Sequence, residues 1–157
     1  MAIGQTLWNR RVKVHDGAEM AADVFLPEGT GPFPTVVLRT PYARSRTLNV
    51  SKGWMRLVEQ GYALVTVDVR GRNDSDGVWR PWAKDLHDAH DVIEWAAAQN
   101  RSSGKIGMVG GSYDGRTQWW TAVSRPKHLV CIAPMCIGAV EHGLPFGGTG
   151  IPMQYRL

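Results

Sequence analysis

The residues Gly107-Met108-Val109-Gly110-Gly111-Ser112-Tyr113-Asp114-Gly115 set a serine among small neighbours where an apolar strand pattern gives way to a helical one. In that setting a serine hydroxyl can become a nucleophile. The turn is so tight that the serine backbone is strained and its neighbours must be small, while the hydroxyl is pushed clear of the sheet above a helix N-terminus that favours negative charge. Acyl transfer from an ester or amide is the chemistry such a group performs. The usual spacing is Gly-x-Ser-x-Gly, whereas here the trailing glycine falls one place later, at Gly115. Taken alone, the segment also reads as a Gly-rich connector between strand and helix. Phosphate binding fails on pattern, because neither Gly-x-Gly-x-x-Gly nor a Gly-Lys-Ser/Thr ending is present.

Other candidate constellations are weaker. Asn73-Asp74-Ser75-Asp76-Gly77 resembles the start of a calcium loop, but an EF-hand would need an acid at Arg72 and a glutamate at Ala83. His87 and His90 share a helix face without a third ligand nearby, so a solvated or packed face is the better reading than a metal site. Trp119 and Trp120 follow the serine, where one could line the sheet and the other an acyl pocket, with core packing the plainer reading. Cys131 and Cys136 match neither a Cys-x-x-Cys redox pair nor a zinc knuckle and are expected as small core residues.

A strand-to-helix turn of this kind needs a parallel sheet behind it. Arg10 to Leu26 carries apolar residues in partial alternation around Asp16-Gly17, which predicts an antiparallel hairpin. Thr35 to Leu38 is a continuous apolar run, as expected of a strand covered on both faces. Val50, Trp54, Leu57 and Val58 repeat at helical spacing up to Gly61, and Tyr62 to Val69 is the next strand. Ala83 to Ala98 is patterned as an amphipathic helix, with Leu86, Ala89, Val92, Ile93, Ala96 and Ala97 on one face and Lys84, Asp85, Asp88, Asp91 and Glu94 largely on the other. A strand at Lys105 to Val109, a helix from Tyr113 to Ser124 and a strand from Leu129 to about Ala133 follow. The alternation predicts an α/β fold with a mostly parallel sheet between helices.

The chain's 157 residues are the size of one domain, and 43% hydrophobic with 20% charged residues is a globular composition. The net charge of +4 comes from cations scattered along the chain, so nucleic-acid binding is not expected. No apolar run reaches the length of a signal peptide or a membrane helix, and a soluble, cytoplasmic protein with no membrane contact is the expectation. Nothing in the composition speaks to oligomeric state.

Gly110-Gly111-Ser112-Tyr113-Asp114-Gly115 is similar to the elbow of the X-Pro dipeptidyl-peptidase and cocaine esterase-like (CocE/NonD) serine hydrolases, which runs Gly-x-Ser-Tyr-x-Gly. Further landmarks of that family stand in order at Met20 to Pro27, Arg39-Thr40-Pro41-Tyr42, Gly61-Tyr62, Val67 to Gly71, Ser75-Asp76-Gly77 and Ile132-Ala133-Pro134. The resemblance implies an α/β-hydrolase fold, with residues 1–157 as the N-terminal portion of a single hydrolase domain whose C-terminal part is missing. It implies Ser112 as nucleophile, the Tyr42 hydroxyl and the Tyr113 backbone N–H as oxyanion donors, a small ester or amide substrate and no cofactor. Read from sequence alone, Tyr42 also has a plainer reading as a core or rim tyrosine.

The serine still needs a histidine base and an acid, in the chain order Ser, Asp or Glu, His. After Ser112 only Asp114, Glu141, His128 and His142 are available, and none forms a convincing pair. The sequence therefore reads as the nucleophile half of a longer hydrolase. A non-catalytic α/β-hydrolase-like binding or interaction module is the alternative.

Overall fold

Apolar alternation on either side of a left-handed glycine makes the first hairpin. In the computed structural model, which describes residues 3–46, 52–80 and 85–137, strand β1 (Ile3–Lys13) runs antiparallel to β2 (Glu19–Pro27), pairing Val12 with Met20 and Leu7 with Val24. Gly17 closes the turn at φ +87°, a conformation glycine adopts without steric cost. A register shift between Leu7 and Arg10 places Asn9 at φ +48°, and its N–H donates to Asp23 Oδ1 at 2.8 Å.

The remaining elements are β3 (Phe33–Thr40), a 3-10 turn (Lys52–Trp54) leading into α1 (Met55–Glu59), β4 (Ala63–Asp68), α2 (Asp85–Ala97), β5 (Ser102–Gly111), α3 (Tyr113–Ser124) and β6 (Leu129–Met135). They form one six-stranded sheet in the order β1-β2-β4-β3-β5-β6. β4 pairs antiparallel with β2 and parallel with β3, and β3, β5 and β6 are parallel neighbours. The expected antiparallel hairpin leading into a mostly parallel sheet is therefore present.

The two-residue period of the strands sorts their side chains onto opposite faces. Val24, Val37, Val65 and Ile106 pack against Val92, Ile93 and Ala96 of α2, whereas Phe25, Val36 and Leu64 pack against Val58 of α1. Helices thus cover both faces, and α3 lies beside α2 against β5 and β6. Ile106 is fully buried, and trimming such a side chain to alanine typically costs about 2 to 5 kcal/mol.

Several expectations change. β1 begins at Ile3, well before the alternation becomes regular, and Val50 lies outside the described residues. Asp88, expected on the solvated face of α2, is fully buried because Arg70 grips it through Nε at 2.8 Å and Nη2 at 2.6 Å. The Asp88 hydrogen bonds push the Arg70 pKa upward, keeping the guanidinium charged. Cys131 and Cys136, expected in the core, are exposed: Cys131 lies on β6, the last strand of the sheet among the described residues, and Cys136 follows it. Trp119 and Trp120 are both half-buried. No helix among the described residues is long and apolar enough to cross a membrane.

Candidate active site

β5 ends at Gly111 and α3 begins at Tyr113, so Ser112 is the one residue between strand and helix. Its backbone stands at φ +55°, ψ −120°, a conformation that costs a non-glycine residue about 1 to 3 kcal/mol. Two bonds hold it there: its N–H donates to Met135 O at 3.0 Å, and its carbonyl accepts from Arg116 N–H at 3.0 Å. The side chain makes no capping hydrogen bond and the residue is exposed. A strained, solvent-facing serine hydroxyl thus sits at the positive end of a 12-residue helix.

The displaced glycine has a steric reason. A Cβ on Gly115 would lie 3.0 Å from Met135 O and 3.2 Å from Gly110 O, so glycine at this position lets α3 close onto β5 and β6. Gly110, at φ +144°, would place a Cβ 2.5 Å from Asp114 Cβ. Position 114 can carry a side chain because position 110 has none.

Asp114 is 7% exposed and its Oδ1 has no hydrogen-bond partner. Desolvation pushes its carboxyl up to about 7, with a hydrogen bond from the Thr40 hydroxyl working in the other direction. Thr40 is fully buried at the end of β3, and its Oγ1 also accepts the Tyr42 backbone N–H at 3.1 Å. Tyr42 is 49% exposed, and its ring meets that of Tyr113 edge to face at 6.4 Å. The structure thereby brings Tyr42 to the elbow, on the rim and out of the core.

An ion network centred on buried Arg44, Asp23 and Asp68 fixes the loop that follows. Arg44 Nε reaches Asp23 Oδ2 at 3.1 Å and Nη1 reaches Asp74 Oδ2 at 2.9 Å, while Asp68 binds both the Arg44 N–H at 2.8 Å and its guanidinium. Burial opposes the Arg44 charge, but the bonds to Asp68 and Asp23 outweigh it and the pKa rises. The Asn73–Gly77 segment is part of this structure: Asn73 Nδ2 donates to Asp68 Oδ1 at 2.9 Å, and Ser75 Oγ donates to Asp68 O at 2.8 Å.

Residues 16–145 match the model of the X-Pro dipeptidyl-peptidase (S15) family. The chain belongs to this family. It is 37% identical over 145 residues to cocaine esterase of Rhodococcus sp. (strain MB1 Bresler), across 90% of this chain and 25% of that protein. A putative serine esterase of Mycobacterium tuberculosis (strain CDC 1551 / Oshkosh) is 29% identical across 78% of this chain and 23% of its own length. The chain thus spans about a quarter of the curated relatives it matches. Among solved structures, a CocE/NonD family hydrolase from Staphylococcus aureus superposes with TM-score 0.72 at 31% identity, covering 81% of this chain and 26% of that one. An α-amino acid ester hydrolase gives TM-score 0.72 at 30% identity, covering 83% and 25%. The fold is that of the α/β hydrolases.

In this S15 family chain the described histidines are engaged elsewhere. His128 Nδ1 lies 2.7 Å from Glu94 Oε2 on α2. Burial would raise the Glu94 pKa, but the His128 hydrogen bonds lower it overall. His15 Nδ1 lies 3.2 Å from Asp91 Oδ2, and its ring packs against His87 at 5.1 Å. Among the described residues no group of three or more His, Cys, Asp or Glu side chains could hold a metal ion. Glu141 and His142 lie outside the described residues.

A cavity of about 240 Å³ opens beside Tyr113, lined by Val69, Val78, Trp79 and Arg80, with the Arg72 guanidinium 4.7 Å from the Trp79 ring centroid. Sequence reasoning assigned no role to Thr40, Arg44 or the Asp23 and Asp68 pair. A signal was available for the acids, because a carboxylate inside a strand buried on both faces requires a buried partner.

Proposed function

We propose that Ser112 is the nucleophile of an esterase or peptidase, attacking an ester or amide carbonyl to form an acyl-serine that water then hydrolyses. The carrying observation is the Ser112 backbone, held at φ +55° between strand and helix with its side chain exposed and uncapped. Strain persists where the surrounding structure enforces it, and this strain aims the hydroxyl outward. The Tyr42 hydroxyl and the Tyr113 backbone N–H are the oxyanion donors, favoured by the edge-to-face contact of the two rings. Losing one such donor typically costs about 2.7 to 4 kcal/mol of transition-state stabilisation.

The base and its acid are not among these 157 residues, which form the N-terminal portion of one hydrolase domain. Substrates are small esters or amides, in keeping with the activities named for the relatives. The cavity beside Tyr113 is the place for part of such a substrate. The test is turnover of a p-nitrophenyl ester by the 157-residue chain. Little or no turnover is expected. Robust turnover abolished by Ser112→Ala would place the base within the chain and overturn that part of the proposal.

A further inference from the structure

We propose that Asp114 and Thr40 are positioning residues that tie the Tyr42 loop to the elbow helix through two consecutive hydrogen bonds. The inference rests on the reading of Tyr42 as an oxyanion donor and extends it to what holds Tyr42 in place. A threonine hydroxyl has one proton to donate and can accept from other donors. Here Thr40 Oγ1 accepts the Tyr42 N–H at 3.1 Å, and its own proton goes to the Asp114 carboxyl.

Both ends of this relay are anchored. Asp114 O accepts from Thr117 Oγ1 at 2.9 Å and from Gln118 Nε2 at 3.2 Å, pinning the first turn of α3. Gly110 leaves the space in which the Asp114 side chain descends toward β3. On the other side, Thr40 is in register with Asp68 of β4, the acid that also fixes Arg44. Tyr42 therefore lies between two clamps, one at Thr40 and one at Arg44, with its ring edge-on to Tyr113. A movement of the elbow helix would be transmitted to the tyrosine through one buried carboxyl group.

A carboxyl group is a costly choice for a purely space-filling role at this depth, because it loses hydration and leaves Oδ1 without a partner. What its carboxyl oxygen supplies is an acceptor aimed at the Thr40 hydroxyl.

The experiment uses the full 157-residue chain with fluorotyrosine at its four tyrosines, the Tyr42 resonance being assigned through Tyr42→Phe. The ¹⁹F shift of Tyr42 and the hydrogen-exchange rate of its amide are read in Thr40→Val, Thr40→Ser, Asp114→Leu and Asp114→Asn. Thr40→Val keeps the shape and removes the hydroxyl, and Asp114→Leu keeps bulk and removes the acceptor. In both, the Tyr42 resonance should move toward that of a solvent-exposed fluorotyrosine and its amide exchange should accelerate about fivefold, as for the loss of one ordinary hydrogen bond. Thr40→Ser and Asp114→Asn, which restore a donor and an acceptor, should stay near wild type. An unchanged Tyr62 resonance reports that the sheet is intact. Should Asp114→Leu not fold, Asp114→Ala replaces it. A Tyr42 signal unmoved in folded Thr40→Val, or in the folded Asp114 variant, overturns the proposal. The underlying reading fails differently: Tyr42→Phe without effect on phosphonylation of Ser112 would remove the oxyanion role and leave the ¹⁹F result standing.

Discussion

The ring of Tyr42 meets the ring of Tyr113 edge to face, with centroids 6.4 Å apart and planes inclined at 77°. These residues come from different parts of the chain, one from the loop after β3 and the other from the first position of α3. Their contact brings the Tyr42 ring against the residue that follows Ser112. Aromatic pairs in this geometry add about 0.5 to 1.5 kcal/mol beyond their buried area, enough to bias a loop but not to hold it alone. The Arg44 network and the Thr40 bond to the Tyr42 N–H supply the rest.

Ser112→Gly should raise the stability of the chain by about 1 kcal/mol, because glycine accepts φ +55° without the penalty serine carries. Urea denaturation measures this directly. A loss of stability would mean that the serine conformation is not strained.

Gly110→Ala and Gly17→Ala should differ. Both have positive φ, but a Cβ at Gly17 meets nothing within 4 Å, whereas one at Gly110 lies 2.5 Å from Asp114 Cβ. Gly17→Ala should cost about 1 to 2 kcal/mol, the left-handed backbone penalty alone. Gly110→Ala should cost more than that, as the elbow helix is forced off β5. Equal costs in thermal or urea unfolding would contradict the close approach.

Arg44→Met should destabilise by about 3 to 5 kcal/mol, since it leaves Asp23 and Asp68 buried without their cation. An unfolding free energy within 1 kcal/mol of wild type, on the scale of an exposed ion pair, would show that water or other residues compensate these acids.

Asp114 gives the fold a pH dependence of definite sign. Desolvation raises its carboxyl from 3.8 to about 7, so between those values the folded state holds a proton that the unfolded state has released. Its contribution to stability therefore falls as pH rises from about 4 to about 7 and is level above that. Asp114→Asn removes this dependence and should be more stable than wild type at pH 8 by an amount of up to roughly 4 kcal/mol. Parallel stability profiles for the two proteins from pH 4 to pH 8 would rule out the raised carboxyl.

The strand and helix pattern and the position of Ser112 were legible because each depends on local sequence: alternation, helical spacing and small residues around one serine. The helix Tyr113–Ser124 matches its sequence pattern end to end. What escaped the sequence depends on partners distant along the chain. Asp88 looks solvent-facing on a helical wheel and is buried because Arg70 reaches it from the end of β4. The cysteines look like core residues and are exposed, Cys131 on the last strand of the sheet among the described residues and Cys136 just past its end. Asp114 was weighed only as a triad acid, and its bond to Thr40 joins two residues whose sequence separation conceals the contact.

If Ser112 is a nucleophile awaiting a base, phosphonylation reports it. The 157-residue chain is treated with a fluorophosphonate, with and without added imidazole as a surrogate base, and the adduct is located by peptide mass spectrometry. The predicted result is slow labelling without imidazole and faster labelling with it, confined to Ser112 and lost in Ser112→Ala. An adduct on other residues, or a Ser112 that stays unmodified when imidazole is supplied, would contradict it.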